Sequence, residues 1–122
     1  MSSILVIDDG VLLRRYVRCM LEKEGYEVRE AADGLDGVQA YRQAPADLVI
    51  CDLFMPLLGG LAAIGELLSL DPAVKVVAIS GGGVGSEGGD VDMARDLGAV
   101  ATLAKPFPIA ALLGAVRGAL AG

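Results

Sequence analysis

Five short apolar runs, each followed by a segment of helical periodicity, constrain the fold of this chain more than any other feature of its sequence. The runs SILVI (3–7), DLVIC (47–51) and VKVVAIS (74–80) are rich in Val, Ile and Leu, as is typical of strands buried on both faces. YEVREA (26–31) alternates like a more exposed strand, and AVATLA (99–104) is the last of the five predicted strands.

Each predicted strand is followed by apolar residues that recur at helical spacing. Gly25 and Gly98 are placed to end two of the helices, because glycine is common just past a helix. Asp33 is predicted to cap the second helix, with Asp36 in a capping-box-like position. The apolar positions of the five helices are Leu12, Leu13, Tyr16, Val17, Met20 and Leu21; Leu35, Val38 and Tyr41; Leu57, Leu61, Ile64 and Leu68; the segment 91–97; and Ile109, Leu112, Leu113, Val116 and Leu120.

Strands that alternate with helices predict a parallel sheet covered on both faces, since parallel strands need long crossover connections. Right-handed crossovers then give an open, doubly wound α/β domain. The 122 residues, of which 54% are hydrophobic, suffice for one domain with a proper core.

Targeting and membrane segments are not evident in the sequence. The longest stretch without a charged residue, 53–65, is shorter than the ~20 residues of a spanning helix. The N-terminus MSSILVIDDG lacks the basic region of a signal peptide. We therefore expect a cytoplasmic protein that does not bind a membrane.

Composition excludes several kinds of site. The chain has no histidine, which excludes Ser-His-Asp and Cys-His catalytic sites, a phosphohistidine carrier and imidazole zinc ligands. A net charge of −6 without a basic patch argues against nucleic-acid binding. Cys19 and Cys51 both lie in apolar patterns, so both are predicted to be buried, reduced thiols.

Polar residues follow the carboxyl ends of four predicted strands, the edge at which open parallel α/β sheets bind ligands. Asp8 and Asp9 follow the first strand and Asp52 follows the third. Ser80 ends the fourth strand, and Lys105 follows the fifth. These side chains meet if the first, third, fourth and fifth strands are neighbours.

Three carboxylates in a small space repel, so one takes up a proton unless a cation neutralises them. A hard divalent cation with oxygen ligands solves this problem, and Mg²⁺ suits carboxylates combined with waters and a phosphate. A carboxylate can also be a nucleophile that forms an aspartyl-phosphate. The pattern therefore favours metal and phosphate chemistry.

The same residues closely resemble the receiver domain of bacterial response regulators, in particular stand-alone chemotaxis regulators. The matching motifs are DD at 8–9, Asp52 followed by LFMP, Ser80, and KPF at 105–107, all in order at the expected strand ends. The resemblance implies a flavodoxin-like fold with strand order 2-1-3-4-5. It covers nearly the whole chain, so we expect a single receiver domain over 1–122 with no output domain.

The resemblance also implies a metal site. Asp9, Asp52 and the backbone carbonyl of Phe54 would bind Mg²⁺ directly, and Asp8 would hold a coordinated water.

Most receivers carry an aromatic switch residue where this chain has Thr102. This departure puts in doubt the usual coupling between the aromatic residue and the hydroxyl residue at the position of Ser80.

The implied roles in phosphoryl transfer centre on Asp52, which would accept the phosphoryl group from a histidine kinase, a histidine phosphotransfer protein or a small donor. Lys105 would pair with Asp52 and then with a phosphoryl oxygen, and the Lys105–Pro106 bond would be cis. The Ser80 hydroxyl would donate to another phosphoryl oxygen.

The expected function is a receiver that switches conformation and engages an unknown downstream protein. It would not be an enzyme beyond its own phosphorylation and dephosphorylation, and it would act as a stand-alone regulator or a phosphorelay shuttle. The alternatives are a receiver excised from a longer regulator and a non-phosphorylated docking module. An aspartate-nucleophile phosphatase would want a second Asp at the position of Phe54, and a flavin carrier would want more aromatic residues.

The segment after Ser80 is rich in glycine and is predicted to be a loop over 81–89. It lacks the spacing of a P-loop, so it does not indicate a phosphate cradle. Gly81 would leave room for a phosphoryl group and for a partner. Gly82 has no side chain to position a water, and Phe54 is bulky enough to shield an acyl phosphate, so we expect slow self-dephosphorylation.

Overall fold

A computed structural model describes residues 2–55, 58–81 and 88–121, and within them all five predicted strand–helix units are present. The strands are β1 (Ser3–Ile7), β2 (Glu27–Ala31), β3 (Leu48–Asp52), β4 (Val76–Ser80) and β5 (Ala101–Ala104). The helices are α1 (Val11–Lys23), α2 (Gly34–Gln43), α3 (Gly60–Leu70), α4 (Gly88–Leu97) and α5 (Ile109–Ala121).

The sheet is parallel throughout, with strand order β2-β1-β3-β4-β5. This confirms the predicted doubly wound α/β fold and its order. The central strand β3 is buried at every residue, and its neighbours are β1 and β4. In register, Ile7 pairs with Cys51 and Asp52 pairs with Ile79, so the carboxyl ends of these three strands lie at one edge.

Two hydrophobic cores cover the two faces of the sheet, because alternate strand residues point to opposite sides. One core joins α2, α3 and α4 to the sheet, and the other joins α1 and α5 to it. Leu48 and Ile50 of β3 belong to the second core, and Asp52 continues the same alternation beyond them. The strand therefore directs Asp52 toward the side covered by α1 and α5.

The predicted helix ends are confirmed. Gly25 and Gly98 have φ values of 93° and 124°, the left-handed region that favours glycine. The Asp33 side chain caps α2 by accepting a hydrogen bond of 2.8 Å from the backbone N–H of Asp36.

Several sequence predictions differ from the structure at element boundaries. β3 includes Asp52 rather than ending at Cys51, because the pairing with β4 extends to Asp52. α4 begins at Gly88, earlier than predicted, so the predicted loop 81–89 is wrong at its last two positions, and 82–87 lie outside the described residues. Glycine has low helix propensity, which is why the pattern placed the start later.

The prediction that Cys19 is buried is wrong, whereas Cys51 is buried as predicted. The buried residues of α1 are Val17 and Leu21. Cys19 lies between them in sequence and so points about 200° away around the helix, toward solvent. None of the helices in the described parts of the chain is long and apolar enough to cross a membrane.

Candidate functional site

Three carboxylates meet at the carboxyl edge of the sheet. Asp8 and Asp9 follow β1 and Asp52 ends β3, and each contributes a carboxylate oxygen to a cluster whose atoms lie within 4.8 Å of one another. Asp8 and Asp52 are each 2% exposed, whereas Asp9 is exposed. The cluster thus has two acids enclosed by the fold and one that faces solvent.

Lys105 supplies a cation to the two buried acids. Its Nζ lies 3.1 Å from Asp52 Oδ2 and 3.4 Å from Asp8 Oδ2. The backbone N–H of Lys105 donates to the carbonyl of Ser80 at 2.8 Å, which ties the residue to the end of β4. The Lys105–Pro106 peptide bond is cis, as the resemblance implies.

Ser80 and Phe54 flank the cluster. Ser80 is 8% exposed at the end of β4, the strand that pairs with β3. The backbone N–H of Phe54 donates to Asp52 Oδ1 at 3.0 Å, and its side chain is 55% exposed. Shielding by the Phe54 ring stays a prediction, and Gly82 lies outside the described residues.

Gly60, the first residue of α3, lets this helix approach the end of β3 closely. A Cβ atom at Gly60 would lie 2.2 Å from the backbone oxygen of Asp52 and 2.4 Å from the Cα of Leu53. The Gly60 N–H donates to the carbonyl of Leu53 at 3.3 Å. The start of α3 therefore packs directly on the backbone that carries Asp52.

The electrostatics of the site favour a bound cation. Burial raises the pKa of the Asp52 carboxyl; the Phe54 N–H and Lys105 lower it, and the charge of Asp8 raises it, with a net increase. Burial lowers the pKa of Lys105, but the hydrogen bond and charge of Asp52, together with Asp8, outweigh it and raise the pKa. Lys105 pairs with two of the three clustered carboxylates, so among the described residues the cluster keeps uncompensated negative charge.

The donor set fits Mg²⁺, because carboxylate oxygens are the ligands that a hard divalent cation prefers. Asp8, Asp9 and Asp52 are grouped closely enough to share one ion. The nearby Cys51 does not compete for it: burial, then the charges of Asp52 and Asp8, raise the pKa of its thiol to about 12. The protonated thiol donates to the carbonyl of Asp52 at 3.5 Å.

Two contacts near the site were not anticipated from the sequence. Arg14 donates to the backbone carbonyl of Asp8 at 2.8 Å and to Glu30 at 2.7 Å. Arg95 of α4 donates to the hydroxyl of Thr102 in β5 at 3.2 Å. An arginine in the first turn of α1, opposite a glutamate near the end of the neighbouring strand, is the sequence pattern that points to the first contact.

A parallel sheet of this order, with an acidic cluster and a lysine at its carboxyl edge, defines a receiver domain. The family model described as response regulator receiver domain matches residues 4–117. The chain belongs to this family.

Relatives and solved structures agree with the family. Chemotaxis protein CheY of Listeria monocytogenes is 32% identical over 108 residues, which cover 88% of each chain. Transcriptional regulatory protein PdtaR of Mycobacterium tuberculosis is 38% identical over 117 residues, which cover 93% of this chain and 54% of PdtaR. The crystal structure of a response regulator receiver domain protein from Clostridium thermocellum has a TM-score of 0.88 at 29% identity, covering 99% of this chain and 95% of that one.

Proposed function

We propose that this chain is a phosphorylatable receiver in which Asp52 accepts a phosphoryl group in a Mg²⁺-dependent reaction. The observation that carries the proposal is the position of the Asp52 carboxylate, grouped with Asp8 and Asp9 and 3.1 Å from Lys105 Nζ. Phosphoryl transfer depends mainly on positioning and on stabilisation of negative charge, and this arrangement supplies both.

Asp52 is the nucleophile of the proposed reaction. One of its carboxylate oxygens attacks phosphorus in line, and the new P–O bond forms as the bond from phosphorus to the donor breaks. Lys105, paired with Asp52 before transfer, then pairs with a phosphoryl oxygen. The Ser80 hydroxyl donates to another phosphoryl oxygen.

Asp9, Asp52 and the carbonyl of Phe54 would hold Mg²⁺, with Asp8 binding a coordinated water. When bound, the ion supplies positive charge that offsets the repulsion between the carboxylates and the incoming phosphoryl oxygens. Asp8 and Asp52 are buried, and their carboxylates accept hydrogen bonds from the N–H groups of Gly10 and Phe54, which supports this role.

The donor is proposed to be a histidine kinase or a histidine phosphotransfer protein, and the phosphorylated receiver would engage a downstream protein. The chain itself would catalyse nothing beyond its own phosphorylation and dephosphorylation. A stand-alone role or a role as a relay shuttle is supported by the match to a CheY over 88% of that protein. A receiver within a longer regulator is the alternative, since PdtaR is matched over 54% of its length.

Intact-mass measurement after incubation with acetyl phosphate tests the proposal, with and without Mg²⁺, on the wild type and on Asp52→Asn. We expect a gain of one phosphoryl group in the wild type that requires Mg²⁺ and is absent from the variant. No gain under any condition would contradict phosphorylation and favour a docking module. The decay of the phosphorylated form in the same assay tests the prediction of slow self-dephosphorylation.

A further inference from the structure

Arg14 links the acidic cluster to the neighbouring strand. It lies in the first turn of α1, and its side chain is 11% exposed. Its Nη1 donates to the backbone oxygen of Asp8 at 2.8 Å, and its Nε donates to Glu30 Oε1 at 2.7 Å. The planar guanidinium thus holds a backbone group of the cluster and a fixed carboxylate at once.

The carbonyl of Asp8 belongs to the peptide unit that joins Asp8 to Asp9. This unit is planar, so its orientation determines the position of the Asp9 Cα, from which the Asp9 side chain extends. Asp9 is exposed, which means that packing does little to hold its side chain. Its position therefore depends on the backbone on either side.

The backbone around Asp9 is held at several other points. The N–H of Asp8 donates to the carbonyl of Ala31 at 3.1 Å. The N–H of Gly10 donates to Asp8 Oδ1 at 2.8 Å, and the carbonyl of Gly10 accepts from the N–H of Arg14 at 2.9 Å. The Arg14 side chain adds a hydrogen bond to the carbonyl of the Asp8–Asp9 peptide.

Glu30 holds Arg14 in this orientation. It also accepts a hydrogen bond from Arg18 Nη1 at 3.0 Å. The side chain of Arg18 is 42% exposed and also pairs with Glu22. Arg18 therefore shares Glu30 with Arg14, but within the described residues it makes no bond to Asp8, Asp9 or Asp52. This makes Arg18 a matched control.

We infer that Arg14 is a positioning residue for the cation site, acting through the Asp8–Asp9 peptide and oriented by Glu30. The inference rests on the proposed function, since it concerns the same acidic cluster. Arg14 would act through geometry, because two N–H donors of its guanidinium hold Asp8 and Glu30 at the same time.

The test is the dissociation constant for Mg²⁺, measured by isothermal titration calorimetry on the unphosphorylated protein. Partners that orient metal ligands typically change metal affinity by about 10-fold or more when removed, so Arg14→Gln is expected to weaken Mg²⁺ binding about 10-fold. Arg18→Gln should bind Mg²⁺ as the wild type does. Equal affinities for Arg14→Gln and the wild type would overturn the inference.

Arg14→Lys separates geometry from charge. A lysine ammonium keeps the charge but cannot hold both partners in a fixed fork. We expect this variant to bind Mg²⁺ more weakly than the wild type. Wild-type affinity in Arg14→Lys, with weak binding in Arg14→Gln, would show that a single ammonium contact suffices and would overturn the role of the two-partner guanidinium fork.

Glu30→Gln keeps the inference testable if the Arg14 variants do not fold, as judged by urea unfolding. It retains Arg14 and its charge but weakens the bond that orients it, so Mg²⁺ binding should again weaken. Unchanged affinity in folded Glu30→Gln would overturn the inference. Absence of Mg²⁺ binding by the wild type would overturn the proposed function together with the inference, whereas equal binding by wild type and variants overturns the inference alone.

Discussion

Asp52 combines burial with like-charged neighbours, and both features bear on stability as well as on chemistry. The carboxyl is 2% exposed, and burial raises its pKa. The hydrogen bond from Phe54 and the ammonium of Lys105 oppose this effect, while the charge of Asp8 adds to it. The acids thus repel one another in the metal-free protein, an arrangement suited to cation binding rather than to stability.

Replacing Asp8 with Asn is therefore expected to stabilise the metal-free protein by about 1 kcal/mol, while weakening Mg²⁺ binding. The amide oxygen of Asn can still accept the 2.8 Å hydrogen bond from the Gly10 N–H, so local geometry is retained. Urea unfolding without metal measures the gain. Glu66→Gln removes the same charge from an exposed position in the middle of α3 and should change the free energy of unfolding little. A destabilised Asp8→Asn would contradict the prediction.

At the scale of elements, helix α3 approaches β3 closely only because it begins with glycine. A Cβ at Gly60 would lie 2.2 Å from the backbone oxygen of Asp52, whereas a Cβ at Gly65 of the same helix would have no neighbour within 4 Å. Contacts with backbone atoms cannot be relieved by a rotamer change. The packing on β3 therefore requires a glycine at position 60, whereas position 65 of the same helix has room for a side chain.

Gly60→Ala is expected to destabilise the protein by about 1–3 kcal/mol through overpacking against β3. Gly65→Ala should instead stabilise it by up to about 1 kcal/mol, because alanine has the higher helix propensity and nothing obstructs its side chain. Urea unfolding of both variants gives the comparison. Equal effects of the two substitutions would show that helix propensity, not packing on β3, determines the cost.

The strands and helices could be predicted from local sequence patterns, and the acidic cluster from the rule that parallel strand ends meet at one edge. Asp8, Asp52 and Lys105 were found in this way. The order of the strands in the sheet was implied only by the resemblance to receiver domains.

The bonds of Arg14 to Asp8 and Glu30 were not predicted. The sequence places Arg14 in the first turn of α1 and Glu30 near the end of the neighbouring strand, but the bonds themselves depend on side-chain directions across two elements. Cys19 was misplaced because it lies among apolar residues in the sequence, whereas the helical turn that buries Val17 and Leu21 directs Cys19 to the opposite side of α1.

On the scale of the whole molecule, Glu30 and Asp52 make the free energy of unfolding depend on pH in opposite directions. Burial raises the pKa of Glu30, but hydrogen bonds from Arg18 and Arg14 outweigh it, and the pKa is lowered. A carboxyl whose native pKa is depressed stabilises the fold above its unfolded pKa and loses this effect as pH falls through the native pKa. Asp52, whose pKa is raised, favours the fold in its protonated form, and this contribution is lost as pH rises through its native pKa.

Glu30→Gln is expected to lower the free energy of unfolding by about 1.5–3 kcal/mol near neutral pH, the usual range for hydrogen bonds to charged groups. The difference from the wild type should shrink below pH of about 4.3, the ordinary pKa of glutamate. Urea unfolding across pH measures it. As a control, Glu24→Gln removes the exposed ion pair with Arg117 and should cost under about 1 kcal/mol. A loss of stability in Glu30→Gln that does not depend on pH would contradict a stabilising role of the ionised Glu30 carboxylate.

Binding of Mg²⁺ to the folded chain should couple the acidic edge to the stability of the entire domain. A ligand that binds only the native state raises the free energy of unfolding. For one site, and at concentrations above the dissociation constant, this free energy grows by about 1.4 kcal/mol for each tenfold increase in ligand. We expect this slope for the wild type in urea unfolding at constant ionic strength. Asp9→Asn should show a smaller slope at Mg²⁺ concentrations that do not exceed its higher dissociation constant. Since Asp8, Asp9 and Asp52 share a single cluster, a slope twice as steep would indicate a second ion and contradict a single shared site.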